Sequence, residues 1–90
     1  MGGEVRSGGA RIWEEADGRH IDVRDLPPPE PMLAILGLLA DCGPEMTVIV
    51  HHDREPIFLY PELAEIGWRH EIVAAPAGEV RLRLTRAPSP

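Results

Sequence analysis

The side chains with the most reactive chemistry in this sequence fall in one short run, His51-His52-Asp53-Arg54-Glu55, directly after an apolar stretch. Imidazoles and carboxylates are the donors that hold zinc or a similar metal, and haem iron also takes histidine. Spacing restricts that reading. Neighbouring residues of a strand point to opposite faces, so His51 and His52 reach one ion only if the chain turns between them, with Asp53 as a third ligand. The plainer alternative is strand-end histidines followed by an Asx turn into Arg54-Glu55-Pro56. His20 and His70 lie in separate segments and could join such a site only through the fold. Cys42 is the one cysteine, so it cannot form an intramolecular disulfide and reads as a reduced thiol.

Arg24 and Arg54 form a second candidate pair, each with an acidic neighbour, Asp25 or Glu55. They either hold an anion or a partner carboxylate between two loops, or pair inward with Asp22, Asp53 or Glu55. No spacing of Asp, Glu and His singles out an acid–base pair, so the expectation is a non-enzymatic domain that needs no cofactor.

These residues need a scaffold, and the composition bounds it. With 90 residues, 43% hydrophobic and 27% charged, the chain makes one small domain. Nine arginines, no lysine and fifteen acidic residues give a net charge of −6, which disfavours nucleic acid as a partner. The apolar run Met32 to Ala40 is far shorter than the ~20 residues that cross a bilayer, so no membrane partner is expected. Gly2, Gly3, Gly8 and Gly9 occupy the region where a secretory leader needs an apolar core, and a cytoplasmic location is expected.

Residues 1–10 read as a disordered Gly-rich tail, 11–86 as the domain and 87–90 as a frayed end. Asp17-Gly18 signals a two-residue turn with positive φ at both positions, which allows an additional N-terminal hairpin strand through Ile12-Trp13-Glu14. His20 to Arg24 alternates as a strand. The prolines Pro27, Pro28, Pro29 and Pro31 suit an extended approach and the first turn of a helix, with Glu30 at the positive end of its dipole. Met32, Ile35, Leu36 and Leu39 recur at helical spacing, and Gly43 reads as the residue that closes this helix. Its small outward stripe, Ala34, Gly37 and Asp41, is a candidate contact surface. Met46 to Val50 reads as a buried strand, Pro61 to Gly67 as a short helix, and Trp68 to Ala74 and Glu79 to Arg86 as two further strands. Most of Ile57, Phe58, Leu59 and Tyr60 is expected in the core. The order β-α-β-α-β-β predicts an α+β two-layer sandwich, a four-stranded mixed sheet with two helices on one face.

Asp22-Val23-Arg24-Asp25-Leu26-Pro27-Pro28-Pro29-Glu30-Pro31 resembles the opening signature of the TusA/SirA-like sulfur carriers, D-x-R-G-L followed by C-P-x-P at the start of the first helix. Together with Arg54-Glu55-Pro56-Ile57-Phe58-Leu59-Tyr60-Pro61, it looks like the related branch of domains of unknown function that carries DVRxLxPPEP and REPxxLYP. In the carriers a persulfide sits on the motif cysteine. Here Pro28 occupies that position and offers no nucleophile, and Cys42 lies at the far end of the helix, where the dipole disfavours a thiolate. The resemblance also implies an association with redox or respiratory nitrogen metabolism in bacteria.

The expected function is a protein-interaction or adaptor domain, monomeric or weakly dimeric, that contacts an unknown protein partner. Its contact residues are expected to be Arg24, Pro28, Pro29, Glu30, Arg54, Glu55 and Tyr60. The alternatives are a metal- or cofactor-binding sensor using His51, His52 and Asp53, and a sulfur-relay component using Cys42.

Overall fold

The computed structural model describes residues 5–7 and 9–88. Eight elements follow one another: β1 (Val5–Ser7), β2 (Ala10–Glu15), β3 (Gly18–Asp22), α1 (Glu30–Ala40), β4 (Val48–His52), α2 (Leu59–Glu65), β5 (Trp68–Val73) and β6 (Val80–Arg86). Five strands of five to seven residues and the three-residue β1 make one mixed sheet in the order β1-β2-β3-β4-β6-β5. Only β3 and β4 are parallel, joined by the α1 crossover; the other neighbours are antiparallel.

The expected α+β order holds from β3 onward, but the sheet is larger than four strands. The N-terminal hairpin is an integral part of it, because β2 completes the hydrogen bonds of β3 and sets Ile12 opposite Ile21. The expected tail over residues 1–10 falls partly outside the described residues. Within it, Val5–Ser7 pair with β2 and Ala10 is fully buried, so the sheet begins before Arg11. Of the expected frayed end, residues 89–90 also lie outside the described residues.

The β2–β3 turn differs from the expected one. Glu15 pairs with Gly18, which leaves Ala16 and Asp17 as the loop, and Gly18 alone takes a positive φ, 138°. A Cβ at Gly18 would lie 2.4 Å from the Thr47 carbonyl oxygen, to which the Arg19 N–H donates at 2.9 Å. A close backbone approach therefore requires glycine there.

Alternation along paired strands puts Ile21, Val48, Val50, Leu82 and Leu84 on one face. Ile35, Leu38 and Leu39 from α1, Leu59 and Leu63 from α2, and Trp68 close over them in one buried cluster. Both helices therefore cover the same face, as a two-layer sandwich requires. Burying each such Leu or Ile contributes about 1.5–3 kcal/mol, so this cluster holds both helices on the sheet.

α1 starts as the prolines suggest. Pro31 stands in its first turn, and the Glu30 N–H donates to the Pro27 carbonyl at 2.9 Å. The Pro28-Pro29 peptide is cis. Gly43 does not take the expected left-handed cap: the Asp41 and Cys42 N–H groups tighten the last turn by donating to Leu38 and Leu39. On the outward stripe Gly37 and Asp41 are exposed and Ala34 is half-buried. α2 begins two residues before Pro61, which still falls in its first turn, and Gly67 ends it with φ 84°. β4 runs two residues later than expected and contains both His51 and His52, because the parallel register pairs Asp22 with His51.

Candidate functional site

The two motif segments meet. The loop before α1 and the loop before α2 wall one cleft of about 530 Å³ at the end of the sheet. Consecutive parallel strands β3 and β4 both lead to this end, and each is followed by a proline-rich turn that starts a helix. Leu26, Pro28, Pro29 and Met32 form one wall; Arg54, Glu55, Ile57 and Phe58 form the other. Phe58 is 78% exposed and Ile57 56%, which corrects the expectation that this segment is mostly core. Leu59 alone is fully buried, because it is the first residue of α2 whose side chain turns onto the sheet.

The seven expected contact residues divide. Pro28, Pro29, Arg54 and Glu55 line the cleft, whereas Arg24, Glu30 and Tyr60 do not. Arg24 is engaged with Asp22: its Nε donates to Oδ1 at 2.9 Å and its Nη2 to Oδ2 at 2.8 Å, and its backbone N–H reaches Oδ1 at 3.0 Å. Arg11 Nη2 adds a further bond to Oδ2 at 2.9 Å. These partners, Arg24 first, hold the Asp22 carboxyl well below the usual carboxylate range. Arg54 differs: its side chain is 71% exposed, and its ion pair is a 3.8 Å contact with Asp53. The Tyr60 hydroxyl donates to Glu55 at 3.0 Å while its ring stacks on His70, centroids 3.7 Å apart. Burial, helped by Glu55, pushes the Tyr60 phenol up to about 12.

His51 and His52 diverge, as strand alternation demands. His52 pairs with Val80 on the helix-covered face and lines the cleft floor, where its Nδ1 accepts the Asp53 backbone N–H at 3.0 Å. Burial lowers its pKa. His51 lies on the opposite face with Arg11, Trp13, His20, Asp22 and Arg81. There the His20 and His51 rings lie 5.0 Å apart, and Trp13 packs against them at 5.2 and 5.3 Å. His20 Nδ1 is 2.8 Å from His51 Nε2, and the ends of the pair reach Asp17 and Glu79, each at 2.7 Å. Burial lowers the His51 pKa more than Glu79 raises it, while Arg81 above all keeps Glu79 ionised.

Sequence reasoning left it to the fold whether His20 or His70 could reach His51 or His52, and the fold brings His20 to His51. The signal that could have found this pairing is parallel β3–β4 register, which sets residues 31 positions apart on one face. Cys42 is half-buried at the C-terminal end of α1, and burial pushes its thiol up, away from the reactive thiolate.

Fold and site together define a small α+β domain with an apolar cleft walled by two proline-rich turns and a histidine–carboxylate network on its opposite sheet face. The chain belongs to the family described as uncharacterized conserved protein (DUF2249), which it matches over residues 20–86. That span includes both motif segments and both histidines of the network. No curated protein and no solved structure matches the chain. Among the described residues no helix is long and apolar enough to cross a membrane.

Proposed function

We propose that this chain is a non-enzymatic, cytoplasmic binding domain whose cleft receives an extended segment of a partner protein. The ligand is an apolar side chain that fills the cleft beside Phe58, followed by a carboxylate that meets Arg54. The carrying observation is that the two motif segments, Asp22 to Pro31 and Arg54 to Pro61, far apart in sequence, wall one cleft that leaves Phe58 and Ile57 exposed. A volume of about 530 Å³ suits one or two large side chains. Arg54 supplies the charge complement because no buried carboxylate holds it, in contrast to Arg24.

The sulfur-carrier resemblance fits this reading as a shared scaffold with its chemistry removed. Pro28 stands at the position of the motif cysteine, and Cys42 sits at the wrong helix end with a raised pKa. Displayed peptide libraries selected on the purified chain test the proposal. Enriched peptides should share an apolar anchor and a nearby acidic residue. Phe58→Ser should weaken them by about 10- to 100-fold, the range for losing a buried Phe contact of about 1.5–3 kcal/mol, with the fold unchanged. Peptides that bind Phe58→Ser and Arg54→Gln as well as the parent would overturn the reading.

A further inference from the structure

The polar sheet face carries a relay of imidazoles and carboxylates. Asp17 Oδ1 to His20 Nε2 (2.7 Å), His20 Nδ1 to His51 Nε2 (2.8 Å) and His51 Nδ1 to Glu79 Oε2 (2.7 Å) are three contacts, each needing one hydrogen between its atoms. The Glu79 end is already neutralised by Arg81 Nε at 2.8 Å and Arg24 Nη1 at 3.5 Å. The other end of this relay, His20 Nε2, faces the β2–β3 turn.

Two carboxylates meet it there. Besides Asp17, Glu15 places Oε1 3.7 Å from His20 Nε2, and one donor atom from each of the three residues lies within 4.8 Å of the others. We propose that Glu15, Asp17 and His20 bind one divalent transition-metal ion, with zinc the best match to one imidazole, two carboxylates and an open position for water.

Two features indicate a built site rather than an incidental acidic turn. The His20 side chain is only 4% exposed, yet its Nε2 aims at the two solvent-facing carboxylates. Two of the three ligands are also oriented from behind. The His51–Glu79 chain holds the His20 ring in place, as the outer partners of metal-bound histidines do. The Trp13 indole N–H holds Glu15 Oε2 at 2.7 Å and leaves Oε1 free for the ion. This site lies on the sheet face away from the cleft and is independent of the peptide-binding proposal.

The test uses the full chain without a polyhistidine tag, stripped with chelator and titrated with zinc by calorimetry. Saturation at one ion per chain is expected. Because His20 is buried and its replacement could prevent folding, the informative variant is the exposed pair Glu15→Gln with Asp17→Asn. It should weaken zinc binding at least ~10-fold, the loss usual for damage to a metal site. The pair Glu62→Gln with Glu65→Gln, an equal charge change on α2, should leave binding unchanged. Copper(II) should quench Trp13 fluorescence in the parent and not in the Glu15/Asp17 variant. Absence of saturable binding, or equal binding by the Glu15/Asp17 variant, would overturn the proposal.

Discussion

Replacing Arg24 with Gln should cost this domain stability, whereas the same change at Arg54 should not, although the two arginines occupy equivalent places in the two motifs. Arg24→Gln removes two guanidinium bonds, at 2.9 and 2.8 Å, from an Asp22 carboxylate whose side chain is 8% exposed. The Arg24 backbone N–H and Arg11 remain on that carboxylate, so it keeps two of its partners. Charge-assisted bonds contribute roughly 1.5–3 kcal/mol each when buried. The Arg24 side chain is 39% exposed, so water screens the pair and the expected loss falls to about 1–2 kcal/mol in total. For a domain of this size that lowers Tm by about 4–16 °C. Arg54→Gln gives up a 3.8 Å contact on an exposed side chain and should change stability by less than about 0.5 kcal/mol. Thermal unfolding by circular dichroism, with urea titrations to confirm an unchanged m value, measures both. Equal Tm values for the two variants, or a larger loss at Arg54, would refute the assignment of Arg24 to the frame and Arg54 to the ligand.

Two further outcomes can be checked on the same protein. Tyr60 is the only tyrosine, so ultraviolet titration of the folded chain reads it alone and should show a midpoint near 12 rather than the ordinary ~10. Since the fold raises this pKa, the associated stability is full below pH ~10 and drains away as pH climbs toward about 12. Glu55→Gln should move the midpoint only part of the way down, because burial remains; a midpoint near 10 in the folded parent would contradict the packing. Glycine substitutions should split by position. Gly18→Ala drives a Cβ into the Thr47 carbonyl and should cost about 1–3 kcal/mol, while Gly37→Ala meets nothing within 4 Å on an exposed helix face and should stabilise by about 0.5–1 kcal/mol. Urea midpoints that shift the same way in both variants would contradict this account.

Much of the scaffold was legible because its causes are local. Prolines before α1, the β-branched run of β4, alternation in β6 and the glycine after α2 each act within a few residues, so their elements stand close to where the sequence places them. The limits of β4 were misjudged for a physical reason: its length is set by pairing with β3 and β6, not by where hydrophobic residues stop. Phe58 was expected inside because composition says how much must be buried and not which way a turn faces. The rim formed by both motif segments was anticipated, yet three of its seven expected contact residues, Arg24, Glu30 and Tyr60, do not line it; for Arg24 the sequence left pairing with Asp22 open, and burial of that carboxylate decided it.

By itself, then, the sequence determined that two proline-rich motifs start helices after consecutive strands, that Pro28 leaves no nucleophile at the first of them, and that His51 and His52 must face apart. These follow from backbone periodicity and side-chain chemistry, which need no distant neighbour. Only the tertiary structure decided that Arg24 is clamped while Arg54 is open, and that His51 finds His20 across the parallel β3–β4 register with Trp13 against both. The first turns on burial, since Asp22 is an 8% exposed carboxylate two residues from Arg24 whereas the Arg54 side chain is 71% exposed; the second turns on strand register, which sums contacts over the whole sheet and brings together side chains whose separation along the chain carries no local signal.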